Sequence, residues 1–415
     1  MRHPQDRPEH DYQPDIAPDK QTDVIVAGHI CLDLIPDMGQ AGLAALAEPG
    51  ALVHVGGAVL STGGTVANSG LALHRLGVAV KLMGKVGDDA FGRLIMEALG
   101  KHSPRMADGM IVSGGEQSSY SIVISPSGSD RIFLHCPGTN DTFKADDVSE
   151  ESLDGAKLLH FGYPPLMKEM YENDGRELEK LLAKAKAKGL TVSLDMSRPD
   201  PDSPSGKVDW RSILKRILPY VDLYLPSWEE TVFMLGSDRS GSGANGGAQA
   251  SVSAHDLASI SGQLVEMGAA VVGIKLGEEG LYVRTTGDAD RMSRIGAAMP
   301  STIADWRERE LLAPCFETTV VGTTGAGDCT IAGFLCGLLH GLPLEETMTA
   351  AVAVGACSVE TLDATSGIVP WTSVVRRIEK GWRRRAPGLP LEGWTPGTDG
   401  VAWIGPYDKS RTNPV

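Results

Sequence analysis

The chain has 415 residues, of which 42% are hydrophobic and 22% are charged, a balance typical of a globular protein with a sizeable core. Its formal net charge of −15 argues against nucleic acid or an anionic membrane surface as the main partner. The six cysteines and ten histidines show no zinc or disulfide spacing, and no apolar run approaches the length that spans a bilayer. We therefore expect a cytoplasmic protein with reduced thiols.

Residues 1–21 are rich in Pro, Asp, Gln and His, which predicts a disordered leader with neither a signal peptide nor an anchor. Beyond them the pattern alternates between strand and helix. Strands are predicted at 23–28, 78–83, 157–161, 191–195, 223–226, 270–275, 281–284 and 318–321. Helices are predicted at 65–76, 89–99, 174–188, 209–218, from 228 onwards, and at 254–267, 325–339 and 344–361.

Three segments depart from the alternation. Residues 119–124 and 131–135 flank a polar turn sequence, which predicts a β-hairpin in a separate small sheet. The Gly- and Ser-rich run 236–253 predicts a flexible insertion, and the tail 386–415 predicts irregular coil. The rest, residues 22–385, predicts one large α/β domain with a mostly parallel sheet covered on both faces. Ligands of such sheets lie at the carboxyl ends of the strands.

The segment 320–330, with sequence VVGTTGAGDCT, has a glycine-rich turn between a β-branched run and a helix. Gly325 and Gly327 let the backbone bend and approach a ligand closely. The first N–H groups of the helix have no partner within it and carry the positive end of its dipole, which suits a phosphoryl group. Asp328 lies in that first turn, where a carboxylate can accept a proton from an attacking hydroxyl. The alternative is that Asp328 only caps the helix.

A second glycine pair, Gly63 and Gly64, precedes the helix predicted at 65–76, and Asn68 lies on its first turn. The glycines allow a flat sugar ring near the backbone, and the Asn68 amide can donate to and accept from hydroxyls. An ordinary helix entry is the alternative interpretation of this pair.

Together the two segments resemble the signatures of the PfkB family of carbohydrate kinases, which have the ribokinase-like fold. Residues 323–328 match the carboxy-terminal signature, and residues 86–92 match a G-D-D-x-F-G motif. The amino-terminal signature matches Gly63, Gly64, Asn68, Gly77 and Gly87. The resemblance covers about residues 23–371. It implies an ATP-dependent, Mg²⁺-requiring kinase that phosphorylates a hydroxyl of a sugar or sugar-like molecule.

The resemblance also implies roles for the matching residues. Asp328 matches the catalytic base, and the backbone of Gly325, Ala326 and Gly327 matches an anion hole. Substrate contacts are implied for Asp33, Gly63, Gly64 and Asn68, and nucleotide contacts for Ser227, Gly277, Gly280 and Thr324. Glu230 matches the acid of the family's N-x-x-E motif, which is linked to magnesium. Segments within about 34–62 and 106–136 match a β-sheet lid that closes over the sugar and often forms a homodimer contact.

Three departures from the family pattern bear on the ligands. The asparagine of N-x-x-E is Ser227, which shortens the polar side chain but keeps a hydroxyl. The first aspartate of the carboxy-terminal signature is Gly322; relatives use it to help hold a monovalent cation, so we expect little dependence on potassium. The lysine that some relatives have after the paired glycines is Thr65, which disfavours a phosphorylated sugar as the substrate.

Two other functions stay open at this point. A nucleoside kinase of the same fold would be favoured by larger apolar and aromatic walls around the substrate. A catalytically silent sugar-binding or regulatory protein is suggested by Gly322 and Ser227, and the intact segment 325–328 argues against it. Asp195 has two interpretations as well, because it either faces the site or only terminates a strand.

Overall fold

The computed structural model of the protein describes residues 22–39, 41–42, 46, 49–126, 132–236, 252–299, 303–397 and 400–409. The predicted leader at 1–21 and most of the predicted insertion at 236–253 lie outside these residues. None of the helices within the described ranges has both the length and the apolar character needed to cross a membrane.

Strands in the described ranges form one large sheet and two small ones. In chain order they are β1 (Val24–Gly28), β2 (Cys31–Pro36), β3 (Ala58–Gly63), β4 (Val80–Met83), β5 (Lys85–Gly87), β6 (Ile111–Ser113), β7 (Tyr120–Ile124), β8 (Ile132–Cys136), β9 (Leu158–Gly162), β10 (Thr191–Asp195), β11 (Leu223–Tyr224), β12 (Val271–Lys275), β13 (Leu281–Thr285), β14 (Glu310–Ala313), β15 (Thr395–Pro396) and β16 (Trp403–Ile404).

The large sheet has ten strands in the order β15-β16-β14-β13-β12-β11-β10-β9-β1-β4. From β12 to β4 each neighbouring pair is parallel, whereas β13, β14, β16 and β15 are added in antiparallel orientation. Every residue of β1, β9 and β10 is buried, which is expected of parallel strands covered on both faces. The mostly parallel sheet predicted from the sequence is confirmed.

Helices pack on both faces of this sheet. They are α1 (Thr65–Arg75), α2 (Ala90–Gly100), α3 (Glu150–Leu153), α4 (Lys168–Ala187), α5 (Trp210–Ile217), α6 (Trp228–Met234), α7 (Ala254–Glu266), α8 (Ala289–Ser293), α9 (Ile303–Trp306), α10 (Ala326–Leu339), α11 (Leu344–Ser358) and α12 (Trp371–Glu379). One apolar core contains side chains of α1, α2, α10 and α11, and a second core, on the other face, contains side chains of α4 to α7. Each predicted helix is present, with ends that differ by a few residues.

A separate sheet of four strands, in the order β3-β2-β7-β8, stands beside the large one. Strands β7 and β8 pair in antiparallel register, so the predicted hairpin is confirmed, although Arg131 lies outside the described residues. The outer strands β3 and β8 expose a set of large apolar side chains, namely Val59, Leu60, Phe133 and Leu134. Val59 and Phe133 lie on one face of this sheet and Leu60 and Leu134 on the other, so both faces carry apolar side chains that the rest of the described chain does not cover.

The strand predicted at 318–321 is wrong. Val320 and Val321 are exposed in a loop, and the N–H groups of Val321 and Gly322 both donate to the carbonyl of Val359. The backbone at the end of α11 accepts their hydrogen bonds in place of a neighbouring strand.

The prediction of an irregular tail is also wrong in part, because β15 and β16 extend the large sheet. Asp408, which is buried, holds the end of the tail: its carboxylate accepts hydrogen bonds from Nε of Arg309 at 2.9 Å and from N of Glu310 at 3.0 Å. Separating a buried carboxylate from its partner costs free energy. The hydrogen bonds of Asp408 therefore fix the tail against β14.

Candidate active site

The carboxyl ends of the parallel strands surround a cavity of about 1270 Å³. Tyr163 follows β9, Asp195 ends β10 and Lys275 ends β12, and all three line this cavity. The first turn of α10 closes it with Gly325, Ala326, Gly327 and Asp328. The structure therefore brings the glycine-rich segment to the edge of the sheet where ligands of such folds bind.

The Asp328 carboxylate is buried, and other elements donate to both of its oxygens. Oδ2 accepts from Nδ2 of Asn68 at 3.0 Å and from the hydroxyl of Tyr163 at 2.7 Å, while Oδ1 accepts from Oγ of Ser69 at 3.0 Å. None of these donors belongs to α10, so the carboxylate joins α10 to α1 and β9 instead of capping its own helix. Hydrogen bonds to an ionised group are the stronger kind, and three of them hold the carboxylate in one orientation.

Sequence reasoning identified Asn68 and Asp328 but missed Ser69 and Tyr163. A usable signal existed for Tyr163, because it directly follows a buried strand at the ligand-binding edge. Its backbone lies in the left-handed region, with φ of 65°, which is unusual for a residue with a bulky side chain. Ser69 gave no signal beyond its place next to Asn68.

Gly325 is the residue before α10 and has φ of 69°, a conformation that glycine adopts without strain. A β-carbon at this position would also lie 2.5 Å from Cβ of Ala364, so there is no room for a side chain. Gly327 faces the cavity, and a β-carbon on it would lie 3.3 Å from Nζ of Lys275. The first turn of α10 thus presents bare backbone next to an ammonium group, and the N–H of its first residue, Ala326, donates to the carbonyl of Thr323 at 3.3 Å.

Asp195 and Lys275 form a buried ion pair at the base of the cavity. Nζ of Lys275 lies 2.8 Å from Oδ1 of Asp195, whose side chain is 1% exposed. Burial raises the pKa values of Asp195 and Glu230. Burial by itself lowers the pKa of Lys275, and the charges of Asp195 and Glu230 outweigh it and raise that pKa above its ordinary value. Of the two interpretations of Asp195, the one in which it faces the site is correct.

Ser227 and Glu230 line the cavity and also form a capping box at the start of α6. Oγ of Ser227 accepts from N of Glu230 at 3.2 Å, and Oε2 of Glu230 accepts from N of Ser227 at 2.6 Å. Their arrangement thus has a structural reason that the sequence analysis did not consider. In the described part of the chain, no group of three or more His, Cys, Asp or Glu side chains is arranged to hold a metal ion.

The residues expected to contact a substrate hydroxyl lie together on the far side of Tyr163. Asp33 in β2 is opposite Ser61 of β3, and a β-carbon on Gly63 would lie only 2.3 Å from Oδ2 of Asp33. Gly64 has φ of 87° and packs against His29, whose ring centroid lies 6.0 Å from that of Tyr163. The Tyr163 ring therefore stands between this polar group of residues and the cavity.

His29 is 3% exposed, and its Nδ1 has no hydrogen-bond partner among the described residues. Burial, followed by the charge of His135, lowers the pKa of His29 to about 3, so the ring is neutral near pH 7. Burial raises the pKa of Asp33. A buried polar atom without a partner is unfavourable, so this side of Tyr163 has hydrogen-bonding capacity that the protein itself leaves unused.

At the other end of the cavity, Gly277 and Gly280 flank a short turn between β12 and β13. Gly280 has φ of 107°, and a β-carbon there would lie 2.0 Å from the carbonyl oxygen of Ala313, so close contact with β14 requires glycine. Thr324 does not line the cavity, although its neighbours Thr323 and Gly325 do.

The tail reaches the same turn, which the sequence analysis did not foresee. Arg385 and Gly388 line the cavity; Arg385 donates to Oε2 of Glu278 at 2.8 Å, and N of Gly388 donates to Oε2 of Glu279 at 2.6 Å. The tail therefore forms hydrogen bonds with both acidic residues of the turn, Glu278 and Glu279.

Gly322 has no space for the carboxylate that the family pattern places there. A β-carbon at this position would lie 2.8 Å from the carbonyl oxygen of Thr361 and 2.9 Å from that of Leu362. The loop 361–362 thus fills the volume that a side chain would need.

Comparisons with known proteins agree with this geometry. The model of the pfkB family of carbohydrate kinases matches residues 21–371. An uncharacterized sugar kinase of Archaeoglobus fulgidus is 28% identical over 289 residues, which cover 69% of this chain and 93% of that protein.

Solved structures with the same fold include the Arabidopsis thaliana ribokinase complexed with ribose and ATP, with a TM-score of 0.64 and 19% identity. The alignment covers 86% of this chain and 98% of the ribokinase. A fructokinase of Xylella fastidiosa with bound ATP gives a TM-score of 0.64 at 19% identity, with the same coverage of 86% and 98%. The fold is therefore ribokinase-like, and because the family match spans most of its length, the chain belongs to the pfkB family of carbohydrate kinases.

Proposed function

We propose that this protein transfers the γ-phosphoryl group of ATP to a hydroxyl of a sugar or sugar-like molecule, with Asp328 as the general base. The observation that carries the proposal is the placement of the Asp328 carboxylate. It lies within hydrogen-bond distance of Asn68 and Tyr163 and directly follows a glycine-rich helix start that can bind a phosphoryl group.

In the proposed reaction, Asp328 accepts the proton of the attacking hydroxyl while the first turn of α10 binds the phosphoryl oxygens. We assign the anion hole to the N–H groups of Gly325, Ala326 and Gly327; that of Ala326 donates to the carbonyl of Thr323 at 3.3 Å, a long hydrogen bond that a phosphoryl oxygen would replace. Phosphoryl transfer has a loose transition state, so positioning and charge stabilisation supply most of the catalysis. Closure of the four-stranded sheet over the acceptor would exclude water.

The acceptor proposal rests on the polar residues beyond Tyr163. Asp33 and Asn68 offer a carboxylate and an amide, and the unpartnered Nδ1 of His29 is one more group for a hydroxyl to satisfy. A polyhydroxyl compound matches this set better than an apolar one, because each buried polar atom gains a partner. Gly63 and Gly64 leave space for a ring beside the backbone.

ATP is assigned to the large cavity on the opposite side of Asp328. The cavity is lined by Ser227, by Gly277 and Gly280 of the turn, and by small residues of α11 such as Gly355 and Ala356. Thr324 does not itself line the cavity, and we assign it to the nucleotide only as the neighbour of Thr323 and Gly325, which do. The solved ribokinase and fructokinase of the same fold contain ATP, which supports this assignment.

Magnesium fits the donor set of this cavity. Asp195 and Glu230 offer carboxylate oxygens, and Mg²⁺ in kinases is usually held by one or two carboxylates together with substrate phosphates and water. When bound, the ion neutralises part of the charge on the phosphates. Glu230 is the residue that we assign to it, while Asp195 is engaged with Lys275.

A nucleoside remains the competing acceptor, and a protein without catalysis is the competing class. Melting curves with a panel of sugars and nucleosides, each with a non-hydrolysable ATP analogue, distinguish a sugar from a nucleoside as the acceptor, since a bound ligand raises the melting temperature. ATP turnover with the best ligand distinguishes a kinase from a protein without catalysis. A protein that binds a sugar but never produces ADP would contradict the proposed kinase.

Asp328→Asn tests the role of the base. Asn keeps the size of the side chain but cannot accept the proton, so we expect turnover to fall by about 10²–10⁴-fold, with nucleotide affinity and melting temperature nearly unchanged. Ser69→Ala, which removes one donor and leaves the carboxylate, is the comparison variant and should lose much less activity. Near-normal turnover of Asp328→Asn would refute the assigned mechanism.

Glu230→Gln tests the magnesium assignment. Gln serves as well as Glu in a capping box, so the helix start and the melting temperature should be retained. We expect the magnesium concentration for half-maximal rate to increase, because the carboxylate ligand is lost. A magnesium titration that superimposes on that of the unmodified protein would remove Glu230 from the metal site.

Monovalent cations should have little effect on the rate. Gly322 provides no carboxylate, and the loop 361–362 occupies its place. The measurement is the initial rate in sodium and in potassium buffers of equal ionic strength. Strong activation by potassium would mean that backbone carbonyls alone form a cation site.

The apolar surface on β3 and β8 is proposed as a homodimer contact. Val59 and Phe133, on the same face of the sheet, are more than half exposed, and a second copy would cover them. We expect light scattering to give about twice the mass of the 43.9 kDa chain, and Phe133→Glu to give the monomer. Val112→Glu, at an exposed apolar position of β6 outside this surface, is the control and should not change the mass. A monomeric unmodified protein would contradict the proposal.

A further inference from the structure

Lys275 lies at the point where the phosphate-binding elements of the cavity meet. It ends β12, and its backbone pairs in parallel with Ser227, the first residue of the capping box. Its Nζ adjoins Gly327, because a β-carbon there would lie 3.3 Å from that atom. The ammonium group therefore stands between the start of α10 and the start of α6.

The hydrogen bonds of Lys275 are incomplete for a buried ammonium group. Its side chain is 12% exposed, and among the described residues Nζ donates only to Asp195. An ammonium group has three donors, so two remain for a ligand in the cavity that Lys275 lines.

Lys186 is a lysine of the same fold whose hydrogen bonds are complete. Its Nζ lies 2.7 Å from the buried Asp222, a pair that resembles Lys275 and Asp195 in distance and burial. Lys186 also donates to three backbone carbonyls, of Leu190, Arg294 and Ile295, and does not line the cavity. A lysine that only stabilises this fold is thus saturated with acceptors, whereas Lys275 is not.

We propose that Lys275 is a catalytic residue that donates hydrogen bonds to the transferring γ-phosphoryl group, with Asp195 as the positioning residue that holds its ammonium. This inference rests on the proposed kinase function. The assignment also accounts for Ser227. Its short side chain leaves room beside the backbone pair that it forms with Lys275, and Lys275 supplies a longer and charged donor.

The step balances without any further reactant. The acceptor oxygen forms a bond to the γ-phosphorus, the bond from that phosphorus to the β,γ-bridging oxygen breaks, and its electron pair leaves with ADP. The hydroxyl proton goes to Asp328, and Lys275 keeps its protons throughout. Its contribution is therefore electrostatic, added to that of the N–H groups of Gly325, Ala326 and Gly327.

Arg198 is the other cationic side chain to consider at this end of the cavity. It lines the cavity but is exposed, whereas Lys275 is fixed by a buried carboxylate. A preorganised charge stabilises a transition state more than a mobile one, because it needs no rearrangement during the reaction. We therefore assign the catalytic contact to Lys275.

The experiment compares Lys275→Met with Lys186→Met in the full chain. Binding of ADP and of an ATP analogue with a β,γ-imido link is measured with magnesium and without an acceptor, and turnover is measured separately. We expect Lys275→Met to bind the analogue about 10- to 100-fold more weakly, with a much smaller change for ADP. Turnover should fall by about 10²–10³-fold. Lys186→Met should lower the melting temperature and leave both affinities and turnover unchanged.

Two more variants keep the test conclusive if Lys275→Met does not fold. Lys275→Arg keeps a charge and should retain more analogue binding than Lys275→Met. The double variant Asp195→Asn with Lys275→Met removes both members of the direct ion pair and should show the same selective loss for the analogue. If Lys275→Met does not fold, these two variants give the result.

Three outcomes would overturn the inference: normal analogue binding and turnover in Lys275→Met, equal losses for ADP and the analogue, or the same losses in Lys186→Met. Each would make Lys275 a structural residue and leave the kinase proposal intact. If the unmodified protein binds neither nucleotide, both the inference and the proposed function fail together.

Discussion

The hydrogen bonds on the Asp328 carboxylate are the constraint on which the rest of the site depends. They join residues that are 260 positions apart in the chain, Asn68 on α1 and Asp328 on α10, and they bring Tyr163 of the sheet edge to the same oxygen, Oδ2. Helices α1 and α10 pack closely in the same core, so the apolar contacts set the distance and the polar contacts set the orientation. Because the carboxylate is buried, breaking these contacts would leave an ionised group without partners.

The cavity has to accept a strongly anionic ligand although seven acidic residues line it, among them Asp195, Glu230 and Asp328. Two features of the structure offset this charge. The first turn of α10 presents backbone N–H groups at the positive end of a helix dipole, and Lys275 places an ammonium beside Gly327. Both are fixed before any ligand arrives, because α10 is packed in the core and Lys275 is held by Asp195. Electrostatic stabilisation of this kind depends on groups that are already oriented.

The fold was predictable because its signals are local. Continuous apolar runs indicated buried parallel strands, and the glycine-rich turn before α10 indicated an anion-binding helix start. Residues that act through long-range pairing were not predictable: Ser69 and Tyr163 gain their partner only when α10 is placed beside α1 and β9. The 318–321 error has the same origin, since β-branched residues predict a strand locally, whereas the N–H groups of Val321 and Gly322 pair with the distant carbonyl of Val359.

The sequence analysis interpreted Ser227 and Gly322 as departures that bear on the ligands and that suggest a catalytically silent protein, and the structure gives both a local explanation. An aspartate at 322 adds one negative charge near the phosphates, and the monovalent cation that it helps to hold in relatives adds one positive charge. Their joint removal leaves the local charge balance unchanged, and the loop 361–362 fills the volume. At 227 a neutral amide is replaced by a hydroxyl that caps α6, while its bridge partner Lys275 supplies a full positive charge. Both changes therefore leave the local charge unchanged, and the positive surroundings of the phosphoryl group come from Lys275 and the first turn of α10, in a cavity that is otherwise rich in carboxylates.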